Sequence, residues 1–183
     1  MNPKSEFEKA VYEGEFRTLI DQETLRRRVV EMGRQITKDY GGMQPIIIGV
    51  LNGAFLFMAD LIRHIELDLE VDFIKISSYG DEKISSGKVM MLKDINAEIQ
   101  GRHILVVEDI VDTGLSIQFL REKFSRLAPA SLRFATLLYK KQNVRVEVQL
   151  DYVGFEIPDE FVIGYGLDYK QILRNLPAVF VMD

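Results

Sequence analysis

The chain has 183 residues, 47% of them apolar and 28% charged, which suits one globular domain with a core that needs no cross-links. Lys and Arg total 23 against 28 Asp and Glu, a net charge of −5, which disfavours a general nucleic-acid binder because that affinity comes from cations set against phosphates. There is no cysteine and there are two histidines, His64 and His103, so disulfides, thiol catalysis and Cys- or His-rich metal sites are excluded.

In chain order, Met1 to Phe16 mixes Lys4, Glu6, Glu8, Lys9 and Glu13 and lacks the apolar run of a secretory signal. Apolar stretches elsewhere fall far short of the ~20 residues that span a bilayer, so a cytoplasmic protein with no membrane partner is expected. Leu25, Val29, Met32, Ile36 and Tyr40 recur at helical spacing, with Asp21 as N-cap and Gly41-Gly42 as stop. Residues 45–51, Pro-Ile-Ile-Ile-Gly-Val-Leu, form a continuous apolar run that fits a parallel strand covered on both faces. Asn52-Gly53 then turns into a helix over 54–64, and a second strand is expected over 69–77. Ser78 to Lys88 is polar apart from Tyr79 and Ile84, a loop of a length that is usually functional or disordered. A short strand over 89–92 follows, then a buried strand over 104–107, a helix from about Leu115, and a strand over 132–139. Val144, Val146, Val148 and Leu150 alternate with Arg145, Glu147 and Gln149, which predicts a half-exposed strand. Segments 152–155 and 161–165 read as further strands, free to form a small sheet of their own. The alternation of strands and helices predicts a doubly wound α/β core.

The chemistry concentrates in Ile104 to Ser116. A buried strand runs into Glu108 and Asp109, a third acid follows at Asp112, then Thr113-Gly114 and a helix. Ligands of open α/β sheets sit beyond the strands' carboxyl ends. The amides of 112–116, opening a helix, suit a monophosphate. Glu108 and Asp109 suit diol hydroxyls or Mg²⁺, and Asp112 is left for proton transfer. The same spacing also fits a solvated acidic turn with Asp112 as a mere N-cap. A P-loop is ruled out because Leu115 follows Gly114, and the dehalogenase-type aspartate pair is ruled out because Asp109 and Asp112 are separated by two residues.

Val106 to Gly114 resembles the phosphoribosyl-diphosphate (PRPP) signature of type I phosphoribosyltransferases. Residues 153–169, Val-Gly-Phe-Glu-Ile-Pro-Asp-Glu-Phe-Val-Ile-Gly-Tyr-Gly-Leu-Asp-Tyr, are similar to the hypoxanthine-guanine branch, with matching landmarks from about Pro45 to Arg174. The resemblance implies a mainly parallel, doubly wound sheet flanked by helices. It also implies one phosphoribosyltransferase domain over 1–183, with a core at about 22–145 and a small hood made by the N-terminal segment and about 146–183. The implied activity joins hypoxanthine or guanine to PRPP, giving IMP or GMP and pyrophosphate. The partners would be small molecules, the cofactor Mg²⁺ and the assembly a homodimer or homotetramer. A regulatory protein of the same fold that only binds PRPP or a nucleotide is the alternative, and the retained acids, Lys140, Phe161 and Arg174 favour the enzyme.

Residue by residue, the resemblance sets Glu108 and Asp109 at the ribose hydroxyls and Asp112 near purine N7 as general base. Asp112, Thr113, Gly114, Leu115 and Ser116 hold the 5-phosphate; many relatives carry Lys where this chain has Leu115. Leu51, Asn52 and Gly53 form the pyrophosphate loop, where some relatives carry Lys in place of Asn52, and Arg174 adds a cation. Lys140 donates to the purine O6, Phe161 stacks on the base, the Val162 backbone meets the purine edge, and Asp168 joins Glu108 and Asp109 at Mg²⁺. Ser78 and Tyr79 begin a mobile catalytic loop. Without the resemblance, Lys140 reads as a solvated strand end, Phe161 as core and Asn52-Gly53 as an ordinary turn. His64 and His103 read as structural.

Overall fold

The computed structural model describes Ser5, Phe7 and residues 16–79 and 88–182. The elements are β1 (Arg17–Ile20), α1 (Gln22–Asp39), β2 (Ile46–Leu51), α2 (Phe55–Ile62), β3 (Glu70–Tyr79), β4 (Lys88–Lys93), β5 (His103–Val111), α3 (Leu115–Ser125), β6 (Ser131–Tyr139), a 3₁₀ turn (Lys141–Asn143), β7 (Tyr152–Glu156), β8 (Val162–Ile163) and β9 (Val179–Val181). The larger sheet has the order β4-β3-β2-β5-β6-β7. Its pairs are parallel except β3 with β4. A second sheet, β1-β9-β8, is antiparallel and joins the N- and C-terminal segments.

Why the central strands carry unbroken apolar runs is visible in their two faces. Ile47, Leu105 and Val107 pack with Leu25, Val29, Met32 and Ile36 of α1 and Phe57, Met58 and Leu61 of α2. Ile46, Ile48, Ile104 and Val106 pack on the other face with Ile117, Leu120 and Phe124 of α3. Successive side chains of a strand point to opposite faces, so a strand covered on both sides must be apolar at every position. Helix α1 starts where expected: Asp21 Oδ1 accepts the Thr24 N–H at 2.8 Å. It stops before Gly42, whose φ is +77°. Arg28 of α1 donates to the Gly154 and Val153 carbonyls at 3.0 and 2.8 Å, so part of the outer edge of β7 is hydrogen-bonded by a side chain, one way of blunting a sheet edge.

Three expectations change. Residues 144–150 form no strand. Every second side chain is partly covered, with Val148 and Leu150 against the α3-side core, but the backbone has no ladder partner and runs across the loop after β5. β7 lies inside the segment assigned to the hood, yet it pairs in parallel with β6 as the sixth strand of the large sheet. β5 does not stop at Val107; it continues through Glu108 and Asp109 to Val111 opposite Tyr139. Residues 80–87, where the mobile catalytic loop is expected, lie outside the described residues. Ser78 and Tyr79 are the last two of β3.

Candidate active site

The site opens where two central strands part. Pairing of β2 with β5 ends at Gly49 and Val107, while β5 stays paired with β6 for four more residues. Glu108 and Asp109 therefore sit on a strand that has lost one neighbour, beside Leu51-Asn52-Gly53, where the Leu51–Asn52 peptide is cis. Gly53 leaves room for the acid: a Cβ on it would collide with Asp109 Oδ2 and displace the carboxylate. Gly166, at φ +104°, leans on the Gly53 carbonyl from the other side, where a Cβ would collide again. Arg174 then donates to the Gly166 carbonyl at 2.8 Å and pairs with Asp168 at 2.6 Å. Leu51 to Gly53, Asp109, Gly166, Asp168 and Arg174 thus form one interlocked group.

Glu108 is 6% exposed. Burial, and then the Asp109 charge beside it, pushes its carboxyl well above the ordinary range. Burial also raises Asp109, against hydrogen bonds from Glu108 and the Ile110 N–H and the charge of Arg174. A buried acid beside a half-buried one calls for a proton, hydroxyl donors or a cation. An all-oxygen, acidic pair fits a hard divalent cation. Asp168 is engaged by Arg174 and by the Gln171 N–H at 2.7 Å. No group of three or more His, Cys, Asp or Glu that could hold a metal occurs among the described residues, so Glu108, Asp109 and Asp168 do not form a three-acid ligand set.

The loop 112–116 has the features of an anion cradle. Gly114, at φ +84°, precedes α3 and no side chain caps the helix, so its first amides are left for a ligand. Thr113 Oγ1 lies 3.5 Å from the Leu115 N–H, and Ser116 is in the first turn. The reading of Asp112 as an N-cap is not what the structure has: Gly114 takes that position. The Asp112 carboxylate instead meets Asn143 Nδ2 at 3.0 Å and Lys140 Nζ at 3.4 Å. The segment after the 3₁₀ turn covers this loop. The Arg145 N–H donates to the Thr113 carbonyl at 3.0 Å, and a Cβ on Gly114 would meet Val148 Cγ1 at 3.0 Å and the Val146 carbonyl at 3.1 Å.

Lys140 is buried at the end of β6, not solvated. Its ammonium bridges Asp112 and Asp159, the latter at 3.3 Å. Phe161 is 54% exposed and meets Tyr169 edge-to-face with centroids 6.4 Å apart; it is not core, as its apolar character alone would place it. Val162 is buried and pairs with Val181. Sequence reasoning missed Asn143, Asp159 and the Gly53–Gly166 contact. Asn143 and Asp159 are ordinary loop residues by spacing, so no local signal marks them.

Comparison with known proteins agrees with this geometry. The sequence profile of the phosphoribosyl transferase domain matches residues 18–170. A hypoxanthine-guanine phosphoribosyltransferase of Bacillus subtilis is 45% identical over 166 residues, 91% of this chain and 92% of that protein. A crystal structure of a Bacillus anthracis hypoxanthine-guanine phosphoribosyltransferase superposes with a TM-score of 0.87 at 46% identity, covering 91% of this chain and 98% of that one. A Staphylococcus aureus hypoxanthine phosphoribosyltransferase gives 0.90 at 37% identity, covering 94% and 95%. With most of its length matched by the profile and by these relatives, the chain belongs to the phosphoribosyltransferase family, on its hypoxanthine-guanine branch.

Proposed function

We propose that the protein is a purine salvage enzyme that transfers the 5-phosphoribosyl group of PRPP to N9 of hypoxanthine or guanine, releasing pyrophosphate. One observation carries the choice of base: a buried ammonium, Lys140, stands 3.4 Å from a carboxylate, Asp112. A 6-oxopurine offers an acceptor at O6 and a proton at N7, complementary to a donor beside a base. A 6-aminopurine would set its own N–H donors against the ammonium. The exposed Phe161 ring offers the base a stacking face.

The chain's groups then divide the work. The amides of 112–116 hold the 5-phosphate, with the Thr113 and Ser116 hydroxyls beside them. Leu51 to Gly53 and Arg174 receive the pyrophosphate. Glu108 and Asp109 face the ribose, where the bond from C1 to pyrophosphate oxygen breaks with its electron pair leaving on pyrophosphate. The N9 lone pair forms the new bond to C1, and the N7 proton passes to Asp112. A general base in such a step contributes about 10²–10⁴-fold in rate. Glu108 and Asp109 would hold Mg²⁺, and the ion would supply charge neutralisation for the departing pyrophosphate.

The same reading makes the protein a single transferase domain and a cytoplasmic homodimer or homotetramer. Among the described residues no helix is long and apolar enough to cross a membrane. The test is direct. The protein is incubated with PRPP, Mg²⁺ and each of hypoxanthine, guanine, xanthine, adenine and uracil, and the nucleotide is quantified. Nucleotide from hypoxanthine or guanine but not from adenine or uracil is expected. Binding of PRPP without product from any base would favour the regulatory alternative.

A further inference from the structure

Resting on that reading, we propose that Asn143 is the positioning residue for Asp112: it fixes the carboxylate in place while Lys140 turns away from it to the purine. Asp112 has two donors, and they differ in kind. Asn143 Nδ2 lies 3.0 Å from Oδ1, an ordinary hydrogen-bond length. Lys140 Nζ lies 3.4 Å from Oδ2 and is shared with Asp159 at 3.3 Å. Both lysine contacts are longer than the ~2.7–2.9 Å of a tight charged pair, so the ammonium is loosely held and available. A carboxylate only accepts, so the Asn143 atom facing it is its NH₂.

Asn143 is itself firmly placed. Its backbone N–H donates to the Lys140 carbonyl at 2.9 Å, closing the 3₁₀ turn. Two residues on, the Arg145 N–H donates to the Thr113 carbonyl at 3.0 Å. The asparagine is thus tied on one side to the purine-reading lysine and on the other to the loop that carries Asp112. When O6 draws Lys140 away, Oδ2 loses its donor and becomes the oxygen that takes the N7 proton. Oδ1 stays on Asn143, so the carboxylate does not swing.

The experiment compares the wild type with Asn143→Ala, Asn143→Asp, Asp112→Asn and the Asp112→Asn/Asn143→Ala double variant by steady-state kinetics and thermal melting. A hydrogen bond to a charged group is strong enough that Asn143→Ala should lower kcat about tenfold to a hundredfold. KM for PRPP should stay within about twofold, and the melting temperature should hold. Asn143→Asp keeps the shape but cannot donate, and should lose at least as much. In the Asp112→Asn background, with no base to orient, Asn143→Ala should add less than about a twofold loss. An unchanged kcat in Asn143→Ala, or a fully multiplicative loss in the double variant, overturns the assignment. A wild type that forms no nucleotide overturns the functional reading and this assignment with it; an active wild type indifferent to Asn143 overturns the assignment alone.

Discussion

The Lys140 ammonium is buried with its side chain 10% exposed, against carboxylates that are 46% and 58% exposed. A buried cation needs partners, whereas half-exposed acids lose little when their cation goes, because water screens them. Removing the lysine should therefore act on ligand binding more than on folding. In Lys140→Ala we expect the KM for hypoxanthine to rise at least about tenfold, as a lost charged hydrogen bond implies, with the KM for PRPP nearly unchanged and melting close to wild type. Steady-state kinetics in both substrates checks this, and an unchanged hypoxanthine KM would remove the lysine from the purine site. Little of this is readable from the residue alone: a Lys after Leu137-Leu138-Tyr139 looks solvated, and only the family pattern marks it. The three acids at 108, 109 and 112 announced themselves by type and spacing. Asn143 and Asp159 did not, because they reach Asp112 and Lys140 across folds in the chain, 31 and 19 residues away respectively.

The phosphate loop and the segment that covers it behave as one element. Gly114 combines a φ of +84° with a ceiling made by Val146 and Val148. Gly114→Ala meets two penalties, about 1–2 kcal/mol for a left-handed non-glycine residue and a Cβ contact at 3.0 Å that needs the neighbour to shift. Either response moves the amides proposed to receive the 5-phosphate. The expected result is at least a tenfold loss of PRPP affinity by calorimetry, about 1.4 kcal/mol, together with a lowered melting temperature. Unaltered PRPP binding would show that the loop does not hold the phosphate. The same segment shows where sequence patterning stops being informative. Alternation in Val144 to Leu150 reports that every second side chain is covered, which a strand shares with any extended chain lying on a surface. It says nothing about whether a neighbouring backbone is there to pair. By contrast, the runs at 45–51 and 104–107 admit one solution, since covering both faces of a strand takes helices on both sides. The capped, strongly periodic α1 was equally legible. The extension of β5 through its acids was not, because Glu108 and Asp109 are poor strand residues kept in register by β6.

Across the molecule, the candidate cleft is a fault in an otherwise continuous sheet: β2 and β5 separate, and residues after β8 reach the gap from the side through Gly166 and Arg174. That arrangement buries Glu108 beside Asp109, and its cost should appear in the stability of the whole domain. The folded-state pKa of Glu108 lies well above its ordinary value of 4.5. Below that value both folded and unfolded chains hold the proton, and the group's contribution is fully present. As pH rises the unfolded chain releases its proton first, and stability falls until the folded carboxyl has titrated too. At neutral pH the native carboxyl is therefore a liability that folding elsewhere offsets. Glu108→Gln keeps the size and removes the ionisation. Without added divalent cation or PRPP, we expect the variant to melt higher than wild type at about pH 8. The gain should be a few degrees, about 2–4 °C per kcal/mol for a domain of this size, and should shrink to nothing as pH is lowered toward 4.5. Under the proposed mechanism turnover should fall in the same variant, since a neutral amide would neither favour positive charge on the ribose nor receive Mg²⁺. Calorimetric scans across that range decide it: equal melting of the two proteins at pH 8, or a difference that persists unchanged at low pH, would show that Glu108 carries no such burden.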